Sequence, residues 1–306
     1  MKKVGVIDIG TNSIRIIIAE IKNNKIINSR KELIMTRLGE GVGKTKKLSE
    51  KAIDRSIDAL KVFKEIAIKE GISDIRAIAT SAVRDAVNKE EFVKRAREEV
   101  KINIEVIDGD MEAQLGFKGV VHGIDKCDKD ILVIDIGGGS TEFIIGNING
   151  IKFKTSLNVG AVRMTDKHIS TDPISDIEFE NLKKDIKGII SKVLKAIREY
   201  DIKRIIGIGG TVTTLAAIDR KLEIYDSNLI HNYEIKIKKV EEMVDLFKRT
   251  NNEERKNLKG LQPKRADIIL AGAVILYEIL VSLGVDKITI SDYDNLEGYI
   301  FEKIIG

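Results

Sequence analysis

Two stretches of the chain share one order of apolar and polar positions, over residues 4–21 and 131–148. Each begins with an apolar, β-branched run, continues with Asp-x-Gly and small polar residues, and ends with a second apolar run. This pattern predicts a buried strand, a tight glycine turn and a returning strand. The repeat therefore predicts two similar domains, each with a phosphate-binding turn of backbone amides and hydroxyls beside an aspartate.

After each hairpin, the apolar positions change between strand and helix spacing. The first half predicts strands at 25–36, 75–79 and 104–107 and helices at 48–69, 89–100 and 110–121. The second half predicts strands at 131–136, 141–147, 150–157 and 204–208 and helices at 175–199, from 211, and at 265–283 and 295–305. Strand-rich starts followed by alternating helices indicate two α/β domains with mixed sheets.

No Gly/Ser-rich or Pro-rich linker separates the two halves. The polar stretch at 125–130 is the best candidate boundary, which predicts domains at 1–124 and 125–306. The last helix, over 295–306, is long enough to pack back on the first domain.

The composition of the 306 residues, with 43% hydrophobic and 33% charged, is that of a globular protein. No apolar run approaches the roughly 20 residues of a membrane helix, so no membrane partner is expected. The single cysteine, Cys127, can form neither an internal disulfide nor a cysteine metal site, which favours the reducing cytoplasm. The net charge of +4 is mild and the aromatic residues are scattered, so an anionic small molecule or polymer is favoured over nucleic acid.

A third glycine turn, Gly-Gly-Thr at 209–211, follows an apolar strand. With the two hairpins it resembles the phosphate and nucleotide motifs of the actin, sugar-kinase and heat-shock-chaperone superfamily. More narrowly, the chain resembles the exopolyphosphatase and guanosine pentaphosphate phosphohydrolase family, and the similarity covers essentially the whole chain. The motifs that carry it lie at 8–15, 37–42, 79–86, 135–142, 160–165, 209–216 and 265–272.

This resemblance implies two actin-like (ribonuclease H-like) domains around an interdomain cleft. It also implies Mg²⁺-assisted hydrolysis of a terminal phosphate from inorganic polyphosphate or guanosine pentaphosphate, with guanosine tetraphosphate as a further ligand. A homodimer is expected on the same ground. Two alternatives stay open, namely a kinase of the same superfamily and a non-catalytic sensor of guanosine polyphosphates.

Transfer of a phosphoryl group to water needs a carboxylate base, a divalent ion and cationic groups that hold the substrate. Glu112 matches the family's catalytic glutamate, and Asp110 is a rival nearby in the sequence. Arg84 is the best cationic clamp, because a guanidinium can bind phosphate with two hydrogen bonds.

Carboxylates flank the two repeated turns. Asp135 is assigned to the metal, Glu142 to the metal or to positioning of the water, and Asp8 to the metal through a water. The residues expected to contact phosphate are Gly10, Thr11, Asn12, Ser13, Gly137, Gly138, Ser140, Thr141, Gly209, Gly210 and Thr211.

Two interpretations remain open for several polar residues. For Arg15, Arg37, Arg163 and Arg265, a substrate contact and a structural ion pair fit the sequence equally well. The histidines lack metal-site spacing, and His122 is interpreted as a residue of the domain junction. The chain also departs from the family at 294–296, where Asp-Asn-Leu replaces a segment with an arginine. Activity or substrate preference can therefore differ from the family's.

Overall fold

The computed structural model describes residues 2–72, 74–124 and 128–306. Cys127 and the start of the predicted boundary stretch lie outside these residues. The strands are β1 (Lys2–Ile9), β2 (Ser13–Lys22), β3 (Lys25–Met35), β4 (Ile75–Ala79), β5 (Ile104–Val106), β6 (Ile131–Ile136), β7 (Thr141–Asn147), β8 (Gly150–Leu157), β9 (Arg204–Ile208), β10 (Glu234–Lys236) and β11 (Lys287–Ile290).

The α-helices are α1 (Val42–Thr45), α2 (Glu50–Lys69), α3 (Ser81–Arg84), α4 (Lys89–Arg95), α5 (Gly109–Gly123), α6 (Ala161–His168), α7 (Asp176–Ile197), α8 (Gly209–Asp219), α9 (Ser227–Ile230), α10 (Ile237–Arg249), α11 (Asn252–Lys256), α12 (Ile269–Leu283) and α13 (Asn295–Tyr299). Two π-helical turns, Ala96–Val100 and Ile300–Ile305, continue α4 and α13, and a 3₁₀ turn, Pro263–Arg265, precedes α12.

The chain divides into two compact units, the first formed by Met1–Gly119 and Asn295–Gly306 and the second by Val120–Asp294. The predicted boundary stretch, 125–130, follows the end of α5 at Gly123, and the division between the two units falls after Gly119, inside this helix. Residues 295–306 belong to the first unit.

The first unit contains a five-stranded mixed sheet with the order β3-β2-β1-β4-β5. Strands β1, β2 and β3 are antiparallel, whereas β4 and β5 run parallel to β1. Alternate residues of β1 face opposite sides, as the period of a strand requires. Ile7 and Ile9 pack in the core that contains α2, while Val4 and Val6 pack in a second core with Leu115 of α5 and the C-terminal residues.

The second unit repeats this arrangement. Its six-stranded sheet has the order β10-β11-β9-β6-β7-β8, in which β6, β7 and β8 are antiparallel and β9 and β11 continue parallel to β6. Strand β10 adds an antiparallel edge. The predicted α/β class, with a mixed sheet in each half, is confirmed.

Two long helices begin where the sequence places capping residues. The side chain of Ser49 accepts a hydrogen bond from the amide of Ala52 at the start of α2. Ser175 and Glu178 form a reciprocal capping box at the start of α7, which satisfies amides that have no partner within the helix. Strand β11 was not predicted, because four residues between a helix and a turn give too short a pattern. In the described part of the chain, no helix is long and apolar enough to span a membrane.

Candidate active site

The first glycine turn joins β1 to β2 and is closed by a hydrogen bond from the Gly10 amide to the Ser13 carbonyl, at 3.0 Å. The Thr11 carbonyl accepts from the Gly39 amide at 2.8 Å, and the Asn12 carbonyl accepts from the Arg37 amide at 2.9 Å. The carbonyl and the following N–H of a trans peptide point in opposite directions. The amide of Asn12 therefore points away from the segment that supports the turn.

The second turn is closed in the same way, by the Gly137 amide and the Ser140 carbonyl at 3.0 Å. Its support is different, since the amides at the start of α6 donate to the turn. The Ala161 amide donates to the Gly137 carbonyl at 3.0 Å, and the Val162 amide donates to the Gly138 carbonyl at 2.8 Å. Arg163 Nε donates to the Gly139 carbonyl at 2.7 Å.

These bonds fix three consecutive carbonyls against α6. By the same peptide geometry, the amides of Gly138, Gly139 and Ser140 point away from α6. Successive amides aimed in one direction form a concave anion-binding surface. Arg163 accordingly has a structural role here, because it supports the turn on the side that faces α6.

Asp135 and Glu142 lie beside this second turn, directly opposite each other on β6 and β7. Their neighbours Ile134 and Phe143 face the main core of the unit, so the two carboxylates share the other face of the sheet. Both are buried. Ser156 on β8 pairs with Glu142 and donates to its Oε1 at 2.6 Å.

Ser156 is a candidate site residue that the sequence analysis missed. No local motif marks it. Only the pairing of β7 with β8 across their hairpin shows that Ser156 lies opposite Glu142.

Thr141 is completely buried, and its hydroxyl donates to the Val159 carbonyl at 2.5 Å. Its side chain therefore stabilises the turn. Asn12 is also buried, with its amide 3.9 Å from the Met35 sulfur.

The third turn begins α8 in the second unit. Gly209 has a φ of +86°, and a Cβ there would overlap Asp135 Oδ1. A Cβ on Gly210 would overlap the guanidinium of Arg265, which is buried against it. Thr211, in turn, packs against Gly272 of α12. The two glycines bring a carboxylate and a guanidinium against the start of one helix, whose N-terminus favours anions.

In the first unit, Glu112 lies on α5 and Arg84 at the end of α3. Arg84 Nη1 donates to Glu112 Oε2 at 2.8 Å and to the Ile107 carbonyl at 3.3 Å. Glu112 is buried, whereas its rival Asp110 is exposed. Burial raises the pKa of Glu112, the charge of Arg84 opposes this shift, and the charge of Asp8 reinforces it.

Asp8 lies on the same face of β1 as Val4 and Val6, which is the face covered by α5. Its Oδ2 accepts from Arg15 Nη2 at 2.5 Å, across the β1–β2 pair. Arg15 therefore forms an ion pair with a turn carboxylate. Arg37 is attached to the first turn by its backbone amide, which donates to the Asn12 carbonyl, and it has a left-handed conformation with φ of 50°.

The histidines do not converge on a site in the described residues. His168 contacts Asp185, and His231 contacts the Gly123 carbonyl, each at 2.7 Å. His122 lies near the end of α5.

The donor set beside the second turn suits a hard divalent cation. Across residues 2–72, 74–124 and 128–306, no three His, Cys, Asp or Glu side chains form a metal cluster. Mg²⁺ usually takes only one or two carboxylates and completes its octahedral shell with waters and substrate phosphates. The paired carboxylates of Asp135 and Glu142 fit that requirement.

Comparisons with known proteins point to one family. The model of the Ppx/GppA phosphatase family matches residues 6–305. A bifunctional 3-dehydroquinate synthase/phosphatase of Fusobacterium nucleatum is 42% identical over 308 residues, which are 97% of this chain but 46% of that protein. The chain thus spans less than half of that relative.

Two further proteins match over nearly their full length. Exopolyphosphatase 2 of Mycobacterium tuberculosis is 30% identical over 311 residues, which are 97% of this chain and 97% of that protein. The crystal structure of the Aquifex aeolicus member of the Ppx/GppA family superposes with a TM-score of 0.80 at 32% identity, covering 99% of this chain and 97% of that chain.

Proposed function

The chain belongs to the Ppx/GppA phosphatase family, and on this premise we propose that it is a Mg²⁺-dependent exopolyphosphatase. It removes the terminal phosphate of inorganic polyphosphate, and guanosine pentaphosphate is its second substrate. The observation that carries the proposal is the row of three amides at Gly138, Gly139 and Ser140, fixed in one direction by the start of α6. Such a row recognises phosphate oxygens and needs no other part of the substrate.

The reaction is an attack of water on the terminal phosphorus. One P–O–P bond breaks, inorganic phosphate leaves, and the shortened chain departs as an anion. Glu112 accepts the proton of the attacking water. A raised pKa suits this role, because a general base works best when its pKa is near the working pH.

Arg84 holds Glu112 in place and also binds the phosphate under attack. A guanidinium offers five N–H donors, so one side chain can contact a carboxylate and a phosphate together. Arg265, seated over Gly210, supplies a second positive charge at the start of α8.

Asp135 and Glu142 would hold Mg²⁺, and Asp8 is the predicted further ligand, which would act through a water. When bound there, the ion would supply positive charge that offsets the negative charge of the phosphate oxygens. Ser156 orients Glu142 by its hydrogen bond to Oε1, which leaves the other carboxylate oxygen turned toward a different partner.

Phosphate release from the purified protein tests the proposal. With Mg²⁺, long-chain polyphosphate should yield inorganic phosphate, and guanosine pentaphosphate should yield guanosine tetraphosphate. EDTA should abolish both reactions, and excess Mg²⁺ should restore them. Binding of guanosine polyphosphates without any phosphate release would instead identify a sensor. Consumption of ATP only in the presence of an acceptor hydroxyl, with the phosphoryl group transferred to that hydroxyl, would identify a kinase.

A further inference from the structure

A basic loop, residues 37–47, which includes the single-turn helix α1, leads away from the first glycine turn. It contains four basic residues, Arg37, Lys44, Lys46 and Lys47, against one acidic residue, Glu40. Glu40 is already paired with Arg55 of α2, at 3.4 Å. The three lysines are exposed.

The loop begins at the turn itself. The amides of Arg37 and Gly39 donate to the carbonyls of Asn12 and Thr11. A Cβ on Gly39 would overlap the Thr11 side chain, so the loop backbone lies directly against the turn.

The other end of the loop is attached to the segment that follows Arg84. The Lys46 carbonyl accepts from the Val87 amide at 2.9 Å. Next to it, Leu48 and Asn88 exchange two hydrogen bonds, of 2.8 and 3.0 Å. The three lysines thus lie on a loop tied at one end to the Gly10–Ser13 turn and at the other to the segment after Arg84.

The loop backbone is fixed between these ends. The Thr45 amide and hydroxyl both donate to the Gly41 carbonyl, at 2.9 and 3.0 Å, and the Lys47 amide donates to the Thr45 hydroxyl at 3.2 Å. A ligand therefore orders only the lysine side chains, which lowers the entropy cost of binding. Within the described parts of the chain, none of these three lysines forms an ion pair that would compete with a ligand.

We propose that Lys44, Lys46 and Lys47 form a second subsite, which binds internal phosphates of a long polyphosphate while its terminal phosphate is held for hydrolysis. This inference rests on the proposed function and adds a basis for chain-length preference. Residues 37–48 contain no aromatic side chain on which a base could stack. A polyanion without bases therefore fits this loop better than a single-stranded nucleic acid does.

The test compares a triple variant, Lys44→Gln, Lys46→Gln and Lys47→Gln, with a control triple, Lys184→Gln, Lys192→Gln and Lys195→Gln. The control lysines are exposed on α7 of the second unit, so both triples lose the same charge. The loop triple should raise KM for long-chain polyphosphate roughly tenfold relative to KM for tripolyphosphate. Its KM for the long chain should also depend less steeply on salt, because fewer counterions are released.

An equal shift in both triples, or an equal effect on long and short chains, would overturn the subsite. Equilibrium binding of long-chain polyphosphate should be measured in parallel. If the wild type bound the polymer through this loop but released no phosphate, the result would contradict the proposed hydrolysis and would still support the subsite. If single-stranded RNA of equal charge competed as well as polyphosphate, the loop would be a general polyanion surface and the proposal would be wrong.

Discussion

Glu112 combines burial with a charged partner, and both properties bear on its proposed role. Glu112→Gln should lower turnover of polyphosphate by about 10²–10⁴-fold, because the amide cannot accept the proton of water. Binding of polyphosphate should stay within a few-fold, since the two side chains have nearly the same shape. Single-turnover phosphate release and equilibrium binding measure the two effects.

Asp110→Asn is the matched control, because Asp110 lies two positions away and is exposed. Its turnover should remain close to that of the wild type. Wild-type turnover in Glu112→Gln would transfer the role of base to Asp110 or Glu142.

The same carboxylate makes stability depend on pH. The pKa of Glu112 is raised in the folded protein, mainly by burial, so the folded state holds this proton more tightly than the unfolded state does. Ionisation of Glu112 therefore does not lower the free energy of unfolding below the unfolded pKa of about 4.3. The loss of stability grows as pH rises from there to the folded pKa and is constant above it.

Glu112→Gln lacks this titration. Its melting temperature should equal that of the wild type at about pH 4, should exceed it increasingly as pH rises toward the raised pKa of Glu112, and should keep a constant excess above that pKa. Thermal melts of both proteins across this range provide the measurement. A difference that narrows with rising pH would mean that Arg84, and not burial, dominates the pKa of Glu112.

Asp135→Ala should raise the Mg²⁺ concentration needed for half-maximal activity and should lower the maximal rate, because one carboxylate ligand is lost. Asp8→Ala should have a smaller effect if Asp8 reaches the ion only through water. Titration of Mg²⁺ against both variants distinguishes them. An unaltered metal requirement in Asp135→Ala would remove this residue from the metal site.

At the scale of single elements, replacing two glycines by alanine measures how the backbone conformation at each position affects stability. Gly188 lies in the middle of α7, whereas Gly284 ends α12 with a φ of +68°, and a Cβ at either position would meet no atom within 4 Å. Gly188→Ala should stabilise the protein by up to about 1 kcal/mol, because alanine loses less conformational freedom in a helix. Gly284→Ala should destabilise it by about 1–2 kcal/mol, because a side chain disfavours the left-handed conformation.

Chemical denaturation of the two variants tests this pair. Destabilisation by Gly188→Ala would contradict the helical assignment at that position. A neutral Gly284→Ala would show that α12 can end without the left-handed residue.

Elements with a strong local pattern could be predicted from the sequence. Strands β6 and β9 agree with the predicted bounds, and the capping residue Ser49 marks the start of α2. The π-helical turn at Ala96–Val100 was predicted as part of an ordinary helix, because apolar spacing does not distinguish these two hydrogen-bonding patterns.

The residues of the candidate site also differ in how far the sequence could predict them. Asp8, Asp135 and the glycines stand in recognisable motifs. The hydrogen bond of Ser156 to Glu142 depends on strand register, and the packing of Arg265 on Gly210 depends on how α8 lies relative to α12. Such contacts between distant segments leave no periodic signal in the sequence.

At the scale of the whole molecule, the first unit needs both ends of the chain. Leu296, Tyr299 and Ile300 are buried in the core formed with Val4, Val6 and Leu115. Full burial of a large apolar side chain contributes about 1.5–3 kcal/mol, and a typical domain is stable by only about 5–15 kcal/mol. Deletion of residues 295–306 should therefore unfold the first unit.

Limited proteolysis measures this effect, with cleavage expected throughout residues 1–119 of the truncated protein. Deletion of residues 303–306 alone is the control, because it keeps all three buried side chains and the hydrogen bond from Gln114 to Glu302. A truncated protein in which the first unit stayed protease-resistant would contradict this account of its core.

Strand β3 forms one edge of the first sheet and is mostly exposed along its eleven residues. An open edge of this length is a template on which another chain can pair and begin to aggregate. Arg30, Lys31 and Glu32 occupy the middle of that edge. A foreign strand would have to desolvate or displace these charges before it could pair, so this short polar segment disfavours pairing of β3 with another chain.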